Sequence, residues 1–150
     1  MRACSIFFAI ASMAWAAPRC PWLNAATAGG VLGGPITNLT VADNSCSFTR
    51  QVSSRVSELR IETQALHSPA ADFRAYAARC HPPTSPLKAI GNEALLCSGE
   101  SGGEQYAQVV GRVRDHGFTV RISTKGAAPD PEGLRDKARQ IAEQVAGILF

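Results

Sequence analysis

Four sets of residues in this chain are of types that can do chemistry, and each carries its own spacing. The first is Gly99-Glu100-Ser101-Gly102-Gly103, which matches G-x-S-x-G. That motif serves hydrolases by holding a serine on a strained strand-to-helix turn, with an acid and a histidine supplied from later in the chain. Asp115 and His116 do follow Ser101 in that order. The surroundings read differently: a glycine-rich loop between two strands, with Asp115-His116-Gly117 as the turn of the next hairpin. An α/β-hydrolase core also needs more parallel strands than this length supplies. A small secreted hydrolase with Ser101 as nucleophile is therefore the alternative reading of function, and a non-enzymatic binding or interaction domain the leading one.

The histidines and cysteines form the second and third sets. His67 precedes a helix start, His81 follows a helix end and His116 lies in the turn. None stands at helical ligand spacing from another, so no metal and no cofactor is expected. Of five cysteines, Cys4 falls in the N-terminal apolar segment, leaving Cys20, Cys46, Cys80 and Cys97. An even set in an exported chain implies two disulfides, with three connectivities open. A zinc site with His81 is the rival, but zinc ligands usually come in close pairs such as C-x-x-C, and there is none. Cys20 stands just ahead of the first helix and Cys46 on the inward side of a strand soon after it. Cys80 ends the apolar stripe of a second helix, and Cys97 ends the strand that a proline-rich loop brings back. The order favours Cys20–Cys46 and Cys80–Cys97. Cys46–Cys80 would need the strand face and the second helix to meet directly.

Arg112, Arg114 and Arg121 are the fourth set. They fall on the polar side of a two-stranded unit over 105–124, where Val109, Gly111, Val113, Phe118, Val120 and Ile122 mark the apolar side. In one register Arg112 faces Arg121, which is unfavourable unless an anion or a carboxylate comes between them. One reading is an ion-pair ladder with Glu58, Arg60 and Glu62; the other is a docking face for an acidic partner or polysaccharide.

The elements that must position these residues follow from periodicity. Asn24 caps a short helix over Ala25 to Leu32. A strand over 36–42, a turn at Asp43-Asn44-Ser45 and a strand carrying Cys46, Phe48 and Val52 come next. Leu59, Ile61 and Thr63 then alternate with Glu58, Arg60 and Glu62. Ser68-Pro69 starts a helix with Phe73, Ala77 and Cys80 on one stripe. A loop from His81 through Pro86 leads to a strand over 93–97. Asp130-Pro131 opens a final helix with Leu134, Ala138, Ile141, Val145 and Ile148 in line. The expected fold is α+β: an antiparallel sheet of about five strands with the helices packed on one face.

Composition sets the compartment. Arg2, an apolar run from Ser5 to Ala14 and Ala14-Trp15-Ala16 make a signal peptide over 1–16, too short to span a membrane. The remainder, 17–150, is a single secreted α+β domain with no membrane span. Losing Arg2 lowers the formal charge of +3 by one, to about +2, too little to imply nucleic acid as a partner. The expected location is periplasmic or secreted, and the expected partner an envelope protein or acidic ligand.

Cys20-Pro-Trp-Leu-Asn-Ala-Ala, Val31-Leu-Gly-Gly-Pro, Cys46-Ser-Phe and Ile90-Gly-Asn-Glu-Ala-Leu together resemble one group. It is the small exported or lipid-anchored bacterial domains of unknown function found notably among actinobacterial lipoproteins. The resemblance implies a hairpin followed by a final helix and brings no catalytic residues. This chain lacks the lipidation cysteine, since Arg19 precedes Cys20, so the anchor does not carry over. Export is expected to leave Ala17 as the mature N-terminus, to be read by N-terminal sequencing of protein from the native host; an intact Met1 on cytoplasmic protein would refute it.

Overall fold

Thr63, Phe118 and Gly111 lie in one row across the sheet, and that row shows how the sheet is built. The computed structural model describes residues 18–128 and 130–150, so the signal peptide expected over 1–16 lies outside the described residues. Strands β1 (Asn38–Ala42), β2 (Ser45–Val52) and β3 (Arg55–Ala65) follow helix α1 (Ala25–Leu32). Helix α2 (Pro69–Ala77) leads to β4 (Thr84–Leu87), β5 (Glu93–Ser101), β6 (Glu104–Val113) and β7 (His116–Lys125), and α3 (Pro131–Leu149) ends the chain. The strands form one antiparallel sheet in the order β1-β2-β3-β7-β6-β5-β4.

Two features of the sequence-based picture need correcting. The sheet has seven strands, not about five. The proline-rich segment after α2 pairs with β5, Thr84 opposite Cys97 and Leu87 opposite Ala94. It can do so because an edge strand tolerates Pro86, whose missing N–H costs no ladder bond on the open side. Nor do the helices share one face. Residues of α1 and α3 join a core with Phe48, Leu59, Val109 and Val120, whereas Phe73 and Tyr76 of α2 pack with Val110, Cys97 and Leu95. Neighbours such as Val109 and Val110 point to opposite sides of a strand, so these are opposite faces. Topology gives the cause. α2 carries the chain from β3, mid-sheet, to β4 at the far edge, and it crosses one face in doing so.

Local chemistry agrees with the elements. Asn24 caps α1, its side chain accepting from the Thr27 N–H at 2.8 Å. At α2 the expected Ser68 side-chain cap is absent; Asp72 Oδ2 accepts instead from the His67 and Ser68 N–H groups at 2.9 and 2.8 Å. The β6–β7 turn is Arg114-Asp115 rather than Asp115-His116-Gly117, since His116 already pairs with Val113. Asn92 holds it: its N–H donates to the Arg112 carbonyl at 2.7 Å, and its Oδ1 accepts from the Arg114 N–H at 2.6 Å. Gly117 instead provides space. A Cβ there would stand 3.2 Å from the Tyr76 ring, and a Cβ on Gly111 would collide with the Phe118 ring.

Both expected disulfides are present, one on each face. Cys20–Cys46, with Cα atoms 5.8 Å apart, fastens the segment before α1 to β2; Cys80–Cys97, at 5.6 Å, fastens the end of α2 to β5. Closing loops of this size is worth roughly 3 kcal/mol each before any native strain. The α3 stripe is buried at Leu134, Ala138, Ile141 and Val145, but Ile148 is 56% exposed and Leu149 packs in its place. Leu149 continues the i, i+4 row from Ile141 and Val145, which Ile148 leaves by one position. Ile141→Ala should therefore cost about 2–5 kcal/mol in urea unfolding, while Ile148→Ala should change stability by less than about 0.5 kcal/mol.

Candidate functional site

The hydrolase constellation is not assembled. Ser101 and Glu104 flank the Gly102-Gly103 turn at one end of β6, and His116 pairs with Val113 at the other. The nine steps from Glu104 to Val113, at about 3.3 Å each, put roughly 30 Å between the two ends. His116 Nδ1 lies 2.8 Å from Asp115 Oδ1, an exposed contact between chain neighbours; a backbone hydrogen bond first, and the imidazole after it, lower the Asp115 pKa. His67 and His81 flank α2 at its two ends. Among the described residues no group of three His, Cys, Asp or Glu side chains is placed to hold a metal ion.

The three arginines do not make one contiguous surface. Arg112 stands opposite Gly117, not Arg121, and its guanidinium binds Glu93 at 2.6 Å and the Arg114 carbonyl at 3.0 Å. Arg114 lies in the turn, 5.7 Å from the centroid of the Phe150 ring. Arg121 stacks on Tyr106 at 3.8 Å, with Glu104 at 3.7 Å. Tyr76 of α2 lies between Arg112 and Arg121, packed on Gly117 and accepting a hydrogen bond from the Thr119 hydroxyl at 2.9 Å. Arg121 does face Arg60 across β3–β7, but Arg60 is neutralised along its own strand by Glu62 at 2.7 Å. Glu62 also meets Arg79 of the α2 end at 3.4 Å, and Glu58 accepts from Ser47. The ladder expected between Glu58, Arg60, Glu62 and these arginines is thus replaced by short local pairs, each worth little at a wet surface.

A different set of cations converges on the face carrying α1 and α3, at the end of the sheet away from the β6–β7 turn. Here α1 has ended and α3 has only begun, so the ends of β2, β3 and β7 run on without a helix over them. The result is a half-open cleft of about 440 Å³. Arg50, Arg55 and Lys137 border it with the hydroxyls of Ser57 and Thr124, 3.4 Å apart. Arg50 is anchored, its guanidinium against Gly34 and its Nη1 donating to the Leu32 carbonyl at 3.5 Å. Asp130 also lines the cleft, with Oδ1 accepting from the Gly133 N–H at 2.9 Å as the α3 cap. Among the described residues none of the three cations forms an ion pair. Three cations against one carboxylate leave the lining formally at about +2, which raises the local concentration of anions. Beside the cleft, opposite Thr124, the Gln105 Oε1 is buried with no hydrogen-bond partner among the described residues.

The sequence reading passed over these cations, although a signal was present. Arg50 is in phase with Cys46 and Phe48, and Arg55 with Leu59 and Ile61, so each puts a charge where strand alternation calls for a core residue. Lys137 sits three residues after Leu134 on the border of the α3 stripe. No protein-family model, no curated protein and no solved structure matches this chain.

The buried phenol of Tyr76 links the α2 face to pH. Burial pushes its pKa above the ordinary 10.0, and the Thr119 hydrogen bond offsets part of the rise. A phenol that holds its proton more tightly when folded adds stability below its unfolded pKa and loses it as pH climbs through the folded one. Stability from Tyr76 should thus be complete below about pH 10 and fall above it. Tyr76→Phe should lower stability near neutrality by about 1 kcal/mol through the lost hydrogen bond. It should also flatten the alkaline decline relative to the unsubstituted protein in urea titrations between pH 8 and 11.

Proposed function

We propose that this chain is a non-enzymatic extracytoplasmic binding domain and that it takes an anionic ligand in the cleft between α1 and α3. The observation that carries this reading is the convergence of Arg50, Arg55 and Lys137, without internal counter-ions among the described residues, on one concave site. Ligand sites typically combine a largely preformed hollow with a few converging polar groups, and this cleft has both. The partner class expected from the sequence, an acidic ligand, is kept; its place moves from Arg112, Arg114 and Arg121 to the cleft between α1 and α3. Arg112 and Arg121 already have carboxylates beside them, so an incoming anion would have to displace Glu93 or Glu104. Two disulfides fit an oxidising compartment outside the cytoplasm, and among the described residues no helix is long and apolar enough to cross a membrane. The resemblance to exported bacterial domains of unknown function agrees with that compartment.

The test is an NMR titration of the disulfide-bonded mature chain with acetate and with inorganic phosphate. Shifts should concentrate at Ser57, Thr124 and Gly33 and weaken as salt is raised, because the attraction is partly solvent-screened. The double variant Arg55→Gln/Lys137→Gln should weaken binding at least tenfold while moving stability by less than about 0.5 kcal/mol, as expected for exposed and half-exposed charges outside the core. Shifts that survive in the double variant, or that map to Arg112 and Arg121, would overturn the assignment.

A further inference from the structure

Resting on that reading, we infer that the anion is the head of a single-chain amphiphile, with the cations of the cleft holding the charged group and its floor receiving a short apolar chain. Exposure sorts the lining into two layers. Arg55 is exposed, Arg50 and Lys137 are half-buried, and together they form the rim. Beneath them lie Val31, Leu32, Ile122 and Leu134, each no more than 8% exposed, beside the hydroxyls of Ser57, Ser123 and Thr124, so the floor is aliphatic on its helix side and hydroxyl-bearing on its strand side. Ala127 and Ala128 add small apolar walls on the segment entering α3.

Size argues the same way. A cleft of about 440 Å³ is much larger than a bare anion fills. At about 30 Å³ for each water-sized group it holds on the order of ten to fifteen non-hydrogen atoms, whereas inorganic phosphate has about five by the same count. A site for phosphate or acetate alone would leave the aliphatic side of the cleft, at Val31 and Leu134, facing water. A carboxylate or phosphate ester with a chain of six to eight carbons, of roughly ten non-hydrogen atoms, would displace that water while its charge stayed at the wet rim. Ser57 and Thr124 can donate to the same head group, since a hydroxyl rotates to suit. A ligand with a second charged group at its far end is a poorer match, because that charge would rest on aliphatic carbon or against Asp130.

Calorimetry on the mature, disulfide-bonded chain with four probes, acetate, octanoate, inorganic phosphate and octyl phosphate, tests this, with octanol as the uncharged control. Each buried methylene is worth about fourfold in affinity, so octanoate should bind at least tenfold tighter than acetate, and octyl phosphate at least tenfold tighter than phosphate. The tighter of the two long-chain probes identifies the head group. Octanol should bind at least tenfold more weakly than octanoate, and Arg55→Gln/Lys137→Gln should reduce octanoate binding by a similar factor with an unchanged urea midpoint. Equal affinity for acetate and octanoate would overturn the amphiphile while leaving the anion site in place. Octanol binding as tightly as octanoate would overturn the head-group assignment. No heat and no spectral change with any of the anions would overturn both this inference and the proposed function.

Discussion

The rest of the structure depends on the need to keep water off both sides of the β6–β7 pair. Val109 and Val120 face one side and are fully buried; Val110 and Thr119, their immediate neighbours, face the other and are buried too. A strand pair with no wet side over its central rows cannot be covered by helices on one face alone. α3 and α1 close the first side, and α2 closes the second on its way from β3 to the sheet edge at β4. The disulfides reinforce this division, Cys20–Cys46 lying with the first layer and Cys80–Cys97 with the second.

Cover on both sides also decides where polar chemistry can be. The α2 helix is only nine residues long. It hides the rows around Thr119 and Val110 and leaves Arg121, Tyr106 and Arg60 beside it, where they settle into stacked and paired arrangements of their own. On the opposite face α3 is long, but it lies mainly over β5, β6 and β7, and the short α1 covers only part of β2 and β3. The sheet outruns its cover there. A hydrophobic row left open would be costly, and at this point the rows change to Arg50, Arg55, Ser57 and Thr124. The cleft is the place where the apolar pattern gives way before the strands do.

Buried polar groups in the two layers are treated differently. Thr119 and Tyr76 satisfy one another at 2.9 Å beneath α2, so that layer gains a hydrogen bond that water would otherwise supply. Gln108 likewise donates to the Arg79 carbonyl at 3.2 Å, tying the end of α2 to β6. Under the other layer Gln105 keeps an unpartnered oxygen among the described residues. A lost partner of this kind costs about 1–3 kcal/mol, and it falls beside the open cleft rather than in the sealed centre of the sheet.

What the sequence alone determined was whatever depends on near neighbours in the chain. Asn24 and Asp130 cap their helices through the N–H groups three residues on, and alternation along 55–65 and 116–125 put Leu59, Ile61, Phe118 and Val120 inside. Both disulfides were legible for the same reason, since each joins a helix end to a strand of its own half of the chain. Even the second buried face had a trace, in the consecutive apolar residues Ala94-Leu95-Leu96-Cys97 and Val109-Val110. The tertiary structure decided what depends on distant partners: β3 pairing with β7, α2 crossing to the far edge, and Pro86 finding a strand to join. It set Gly117 rather than Arg121 opposite Arg112, and brought residues 50, 55, 124 and 137 to one cleft. Periodicity says which side of an element is apolar. Only the packed order of the strands says which elements share that side, and where their cover ends.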